Sequence, residues 1–183
     1  MTLTNIEYKT FLEAHLRLLF FVGQQSKIID KKMEFTDFVE TDFSVKLNCR
    51  NYFLDNKELL DDYISTHFDE LTTEQIKILG GFNTSISSDF IIFKCLKNHA
   101  IFIDTKSNMF YEVKALGDRF DHFFDRIPIL VEATILPFNN QIVYDGFLKP
   151  TRITLGSGIT SILNEDYKRA KSNNQIVMTI GME

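Results

Sequence analysis

The chain has 183 residues, 44% of them hydrophobic, and a formal net charge of −5. That length suits one domain with a sizeable core, and 18 Phe beside 8 Gly and 3 Pro exclude a disordered or low-complexity chain. The Lys and Arg are scattered in an acidic background, which argues against a nucleic-acid binder, and the strongest apolar run, Leu18 to Val22, is far below the ~18 residues of a membrane span.

Asn5 to about Gln24 reads as an amphipathic helix, with Phe11, Leu12, His15, Leu16, Leu19 and Phe20 at helical spacing and Gly23 as its stop. His15, on the apolar side, reads as a hydrogen-bonded core residue rather than a ligand. A second helical stretch follows Lys31, carrying Met33, Phe35, Phe38, Val39 and Phe43. Asp55 with Glu58 has the form of a capping box opening a helix whose inner side is Leu59, Leu60, Tyr63, Ile64 and Phe68. Thr72 with Gln75 repeats the signal, and Gly80-Gly81 is expected to end that helix in a left-handed cap.

The period then changes to two. Asp89–Leu96, Ala100–Asp104 and Met109–Ala115 read as antiparallel strands joined by turns at Asn98-His99 and Thr105–Asn108. The second turn sets Asp104 opposite Met109 and Ile101 opposite Glu112. Leu116–Arg126 reads as a helix or turn with Phe120, Phe123 and Phe124 inward. Ile127–Leu148 is a β-hairpin around Asn139-Asn140, because Asn tolerates the positive φ of a tight turn. Beyond Pro150 come a short strand Arg152–Leu155, a helix from about Thr160 to Lys171 with Ile162, Leu163, Tyr167 and Ala170 inward, and a strand Gln175–Ile180. The expected fold is α+β and a single domain. A helical N-terminal part (about 1–82) packs on a mainly antiparallel β-sheet (about 83–183), with a C-terminal helix and strand.

In the hairpin, Ile129, Val131, Ala133, Ile135, Ile142, Tyr144 and Leu148 share an apolar face. Leu130, Glu132, Thr134, Leu136, Val143, Asp145 and Phe147 share a mixed one. A two-residue turn puts Thr134 opposite Asp145; a four-residue loop from Pro137 puts Glu132 there. Either makes Glu132 and Asp145 neighbours, about 5–8 Å apart. They read as an acid pair or weak metal site, or, preferably, as a solvent-facing side with a base nearby.

Other chemistry is sparse. Asp104 with Glu112-Val113-Lys114 resembles the D…(D/E)xK pattern of metal-dependent nucleases, yet the two acids stand roughly 10 Å apart along the strands. A cross-strand ladder of Lys94, Glu112 and Lys114 is the preferred alternative. Asp118, Asp121 and His122 could share one helical face around a metal, or simply form its solvated side. Gly156-Ser157-Gly158 enters a helix where backbone N–H groups could hold phosphate, but neither a full GxGxxG nor a Walker Lys follows, so it reads as a turn and no cofactor is expected. Cys49 and Cys95 lack CxxC spacing and suit free thiols in a reducing compartment. With no secretion signal at the N-terminus, a cytoplasmic location is expected.

FIIFKCLKNHAIFID (Phe90–Asp104), YEVKALGD (Tyr111–Asp118), PILVEATILPFNNQIVYDGFL (Pro128–Leu148) and ITLGSGITSILNEDYKRAK (Ile153–Lys171) together resemble an uncharacterised bacterial domain family of unknown function. The matching features are an LPF turn at Leu136–Phe138 and I-x-Y-D-G at Ile142–Gly146, and the likeness spans roughly Asp55 to Lys171. It implies a domain type and no activity. Two readings result. One is a non-enzymatic bacterial cytoplasmic module that binds a protein partner or a second copy through exposed Phe, such as Phe138. The other is a metal-dependent hydrolase or nuclease using Glu132, Asp145 and Glu112.

Overall fold

The computed structural model describes residues 2–153 and 155–181. The protein is α+β, and it divides into two compact units: a helical one, Ile6–Asn83, and one built on a sheet, from Thr84 onward with the first residues through Asn5.

The helical unit begins with α1 (Asn5–Gln25), which buries Phe11, Ala14, His15, Leu18, Leu19 and Val22 along one face. Gly23 does not stop the helix. It packs closely against α3 (Phe43–Asp55): a Cβ there would lie 2.8 Å from Cys49 Sγ and 3.1 Å from Ile29. The segment beyond Lys31 forms two helices, α2 (Phe35–Glu40) and α3. Asp55 ends α3 and opens nothing, because the helical run from Phe43 carries through it to an Asn56 C-cap. Helix α4 (Leu59–Thr66) follows Glu58 with no side-chain cap bond. The Thr72/Gln75 box does form ahead of α5 (Thr73–Gly80), with Gln75 N–H donating to Thr72 Oγ1 at 3.2 Å and Thr72 N–H donating to Gln75 Oε1 at 2.9 Å. Gly81 keeps a right-handed conformation (φ −60°), and the chain tightens into a 3₁₀ turn, Gly81–Thr84, in place of the left-handed cap.

The second unit holds β1 (Ile86–Cys95), β2 (Ala100–Asp104), β3 (Phe110–Lys114), α6 (Phe120–Phe123), β4 (Ile129–Phe138), β5 (Gln141–Pro150), α7 (Ser157–Ser172) and β6 (Ile176–Val177). The strands run β2-β1-β4-β5-β3-β6, and β2 also pairs with β3, so β1 to β5 close on themselves. Every pairing in that ring is antiparallel except β3 with β5. A ring ordered β1-β2-β3-β5-β4, with a helix between β3 and β4, has the connectivity of the five-stranded OB-type Greek-key barrel. The far edge of β3 is divided: Phe110 and Tyr111 pair with β6, while Val113 and Lys114 pair with β5.

Alternation puts Phe90, Ile92, Phe102, Tyr111, Val113, Val131, Ala133, Ile135, Ile142 and Tyr144 inside the barrel, all buried, including the central members of the apolar hairpin face. Phe120 of α6 fills one end, its ring 5.1 Å from those of both Phe102 and Tyr144. Phe123, expected inward, is 46% exposed, since α6 lasts one turn and can aim only one of its rings at the barrel. On the outer face, Leu163, Tyr167 and Ala170 of α7 cover Ile91, Phe93, Ile101, Ile103 and Phe110. Ile162, expected inward with them, is 60% exposed.

Strand β5 runs on through Pro150, opposite Val131, where a terminal Pro costs no ladder bond. Arg152, Ile153 and Leu155 form no strand, and Thr154 lies outside the described residues. The last strand is two residues long. Both cysteines are free. Among the described residues no helix is long and apolar enough to cross a membrane.

The Gly23 contact is testable. Gly23→Ala raises helix propensity by about 1 kcal/mol, but it drives a methyl into Cys49, and overpacking of this kind costs about 1–3 kcal/mol. Net destabilisation is expected in urea unfolding. Adding Cys49→Ala should recover part of it, giving a non-additive double-mutant cycle.

Candidate functional site

The two hairpin acids are not neighbours. Asn139 and Asn140 form the two-residue turn with φ of 46° and 59°, and Phe138 faces Gln141. The register then slips by two between Ala133 and Ile135, so Ile135 faces Tyr144 but Ala133 faces Leu148. Gly146, at φ +96°, lies within that bulge, in a conformation that favours glycine. Glu132 consequently faces Lys149, which it binds at 2.8 Å on the open surface. Asp145 is 1% exposed and accepts the Phe147 N–H at 3.0 Å. Thr134, Leu136, Val143 and Phe147 are buried beside it, so this half of the mixed face is no solvent side. Phe138, expected to protrude, is buried as well.

Asp104 ties the β2–β3 turn. Its carboxylate accepts the Ser88 and Ser107 hydroxyls, each at 2.6 Å, and the Lys106 N–H at 3.1 Å. Burial acts to raise its pKa, but those donors outweigh it and hold the carboxyl below the ordinary 3.8. Glu112 faces Ile101, as the turn requires, with its carboxylate 3.4 Å from His99 Nε2, a contact without hydrogen-bond geometry. Lys94 lies over the Phe93 and Tyr167 rings at 4.8 and 5.0 Å, so the Lys94–Glu112–Lys114 ladder is not formed.

Asp121 is held by Arg119 through two hydrogen bonds of 2.8 and 2.6 Å. Asp118 precedes α6 by two residues, so a helical face shared with Asp121 and His122 does not arise. Among the described residues no three His, Cys, Asp or Glu side chains gather as metal ligands. Gly156 is the N-cap of α7, with Ser157 and Gly158 in its first turn. The Gly156 carbonyl accepts the N–H and hydroxyl of Thr160, as an ordinary helix start would. Burial first, then the Asp121 charge, pushes the Cys95 thiol up to about 11, away from thiolate reactivity.

Polar and aromatic groups do converge in the helical unit. A cleft of about 300 Å³ is lined by Glu13, Arg17, Phe20, Phe21 and Gln24 of α1, and by Phe35, Tyr63, His67, Glu70, Leu71 and Gln75. Tyr63 and His67 rings meet at 4.6 Å, and Phe21 packs on them at 5.4 and 5.7 Å. The Arg17 guanidinium lies 4.5 Å over Phe35 and binds Glu13 at 3.1 Å. Burial chiefly, with help from Glu70 and Glu13 against Arg17, raises the Tyr63 pKa. Sequence reading placed Tyr63 on a helix's inner side and passed over Arg17, His67 and Glu70, which share no motif spacing; only a packed helical unit brings them together.

Comparison with protein families, with curated proteins and with solved structures finds no match.

Two outcomes follow for the acids. Asp104→Ala should cost about 1–3 kcal/mol in neutral urea unfolding, by leaving Ser88, Ser107 and a backbone N–H short of an acceptor. The folded-state pKa is depressed, so the carboxylate's contribution is present above about pH 4 and fades as pH falls through the lower folded value. The gap between wild type and variant should therefore narrow in acid. Glu132→Gln should change stability by less than about 0.5 kcal/mol, as for an exposed pair, with melting curves alike in Mn²⁺ and EDTA.

Proposed function

We propose that the chain is a non-enzymatic protein-binding module acting in the bacterial cytoplasm. The observation that carries this reading is on α7. Leu163, Tyr167 and Ala170 pack on the barrel, but Ile159 is 48% and Ile162 60% exposed, and Ile153, four residues ahead of the helix, is 59% exposed. Branched apolar side chains grouped in one short segment favour a protein surface over water. The acids considered for catalysis support the same reading, since Glu132 is tied to Lys149, Asp145 is buried and Asp104 closes a turn.

Fold analogy bears on the nucleic-acid alternative. Barrels of this connectivity that bind oligonucleotides use the outer face of β2 and β3. Here α7 covers that face. The barrel unit has 11 basic and 11 acidic side chains, and the helical unit has 9 against 14, so neither supplies a basic stripe.

The test is an Ile159→Asp/Ile162→Asp double variant. Both positions face water, so folding should be unchanged. Chemical cross-linking in bacterial lysate, read by mass spectrometry, is expected to join α7 of the wild type to one protein, or to a second copy, and to lose that product in the variant. Identical cross-links in both would refute the reading.

A further inference from the structure

We propose that the cleft of the helical unit receives a guanidinium group, the arginine side chain of a protein partner. This rests on the protein-binding reading and names what the partner presents. The walls are aromatic: Phe20, Phe21, Phe35, Tyr63 and His67 surround the space. Aromatic faces carry negative quadrupole density and attract cations, and a planar, weakly hydrated guanidinium stacks on them better than an ammonium does. The protein already uses this chemistry once in the same cleft, where Arg17 lies over Phe35 and is neutralised by Glu13.

One acid remains. The Glu70 carboxylate has no ion-pair partner among the described residues, yet it is near enough to the Tyr63 hydroxyl to act on its ionisation. A guanidinium entering between the rings could donate two parallel N–H bonds to that carboxylate. An anionic ligand would face two carboxylates and one Arg that is already paired. A purely apolar ligand would strip water from Glu13, Glu70 and Gln75 and return no hydrogen bond. The helical unit holds the whole net charge of the chain, 14 acidic against 9 basic side chains, so its field favours a cation. A space of about 300 Å³ lies at the lower bound of small-molecule sites and suits one side chain better than a large cofactor.

The experiment is an NMR titration of the full chain with N-acetyl-arginine methylamide. Its arms are the isosteric citrulline compound, the lysine compound and methylguanidine. Saturable shifts are expected at the ring protons of Tyr63 and His67 with the arginine compound, smaller ones with lysine, and none with citrulline. Glu70→Gln, an exposed change that leaves the fold intact, should weaken arginine binding about fivefold. The assignment fails if arginine gives no saturable shift, if citrulline matches it, or if Glu70→Gln binds as tightly as wild type. Methylguanidine binding no more weakly than the arginine compound would overturn the partner assignment in favour of a free small molecule. Because Ile153, Ile159 and Ile162 lie on the other unit, loss of the cleft result with the α7 cross-link intact removes this inference alone.

Discussion

The barrel unit depends on the use of β3 along both edges. It is antiparallel to β2 on one side and parallel to β5 on the other, and that parallel pairing turns a sheet into a ring. Closure removes exposed strand edges, which are templates for unwanted pairing. It also creates an enclosed interior that must be filled at close to solid density. Rings do much of the filling: Phe90 contacts Phe102 and Tyr111, and Phe120 bridges Phe102 and Tyr144. The Phe surplus of the chain finds part of its explanation here.

Closing so small a ring requires strong local bending, and bulges supply it. One lies in β1 between Ile92 and Lys94, the other opposite Thr134 in the hairpin. The second governs the chemistry of the surface. A shift of two residues keeps every side chain on its face but changes its partner, so Glu132 meets Lys149 and Asp145 stays in the buried half. An apparent acid pair becomes one surface ion pair and one buried carboxylate in separate environments.

Helix α7 decides what the outside of the barrel can offer. By covering the β1–β2–β3 face it builds a second apolar core there. This unit still exposes the start of α7, and the helical unit carries the aromatic cleft with its carboxylates. The start of α7 is apolar, with Ile159 and Ile162 exposed, whereas the cleft is concave and sets Glu13 and Glu70 beside its aromatic rings.

Local chemistry made much of the architecture legible from the sequence. The change from helical to alternating period near residue 83, the strands β1 to β3 and the β2–β3 register, the Asn139-Asn140 turn, the Thr72/Gln75 box and the apolar hairpin face all follow from backbone preference and the spacing of apolar side chains. Signals resting on a single residue misled where packing competed with them: Gly23 is a contact and not a stop, Asp55 closes a helix, Gly81 stays right-handed, and Ile162 faces water. The closed ring, the hairpin bulge, the placement of α7 and the convergence of Arg17, Tyr63, His67 and Glu70 were decided only by tertiary structure. Each depends on residues far apart in sequence meeting at fixed distances, and no periodicity within one element encodes that.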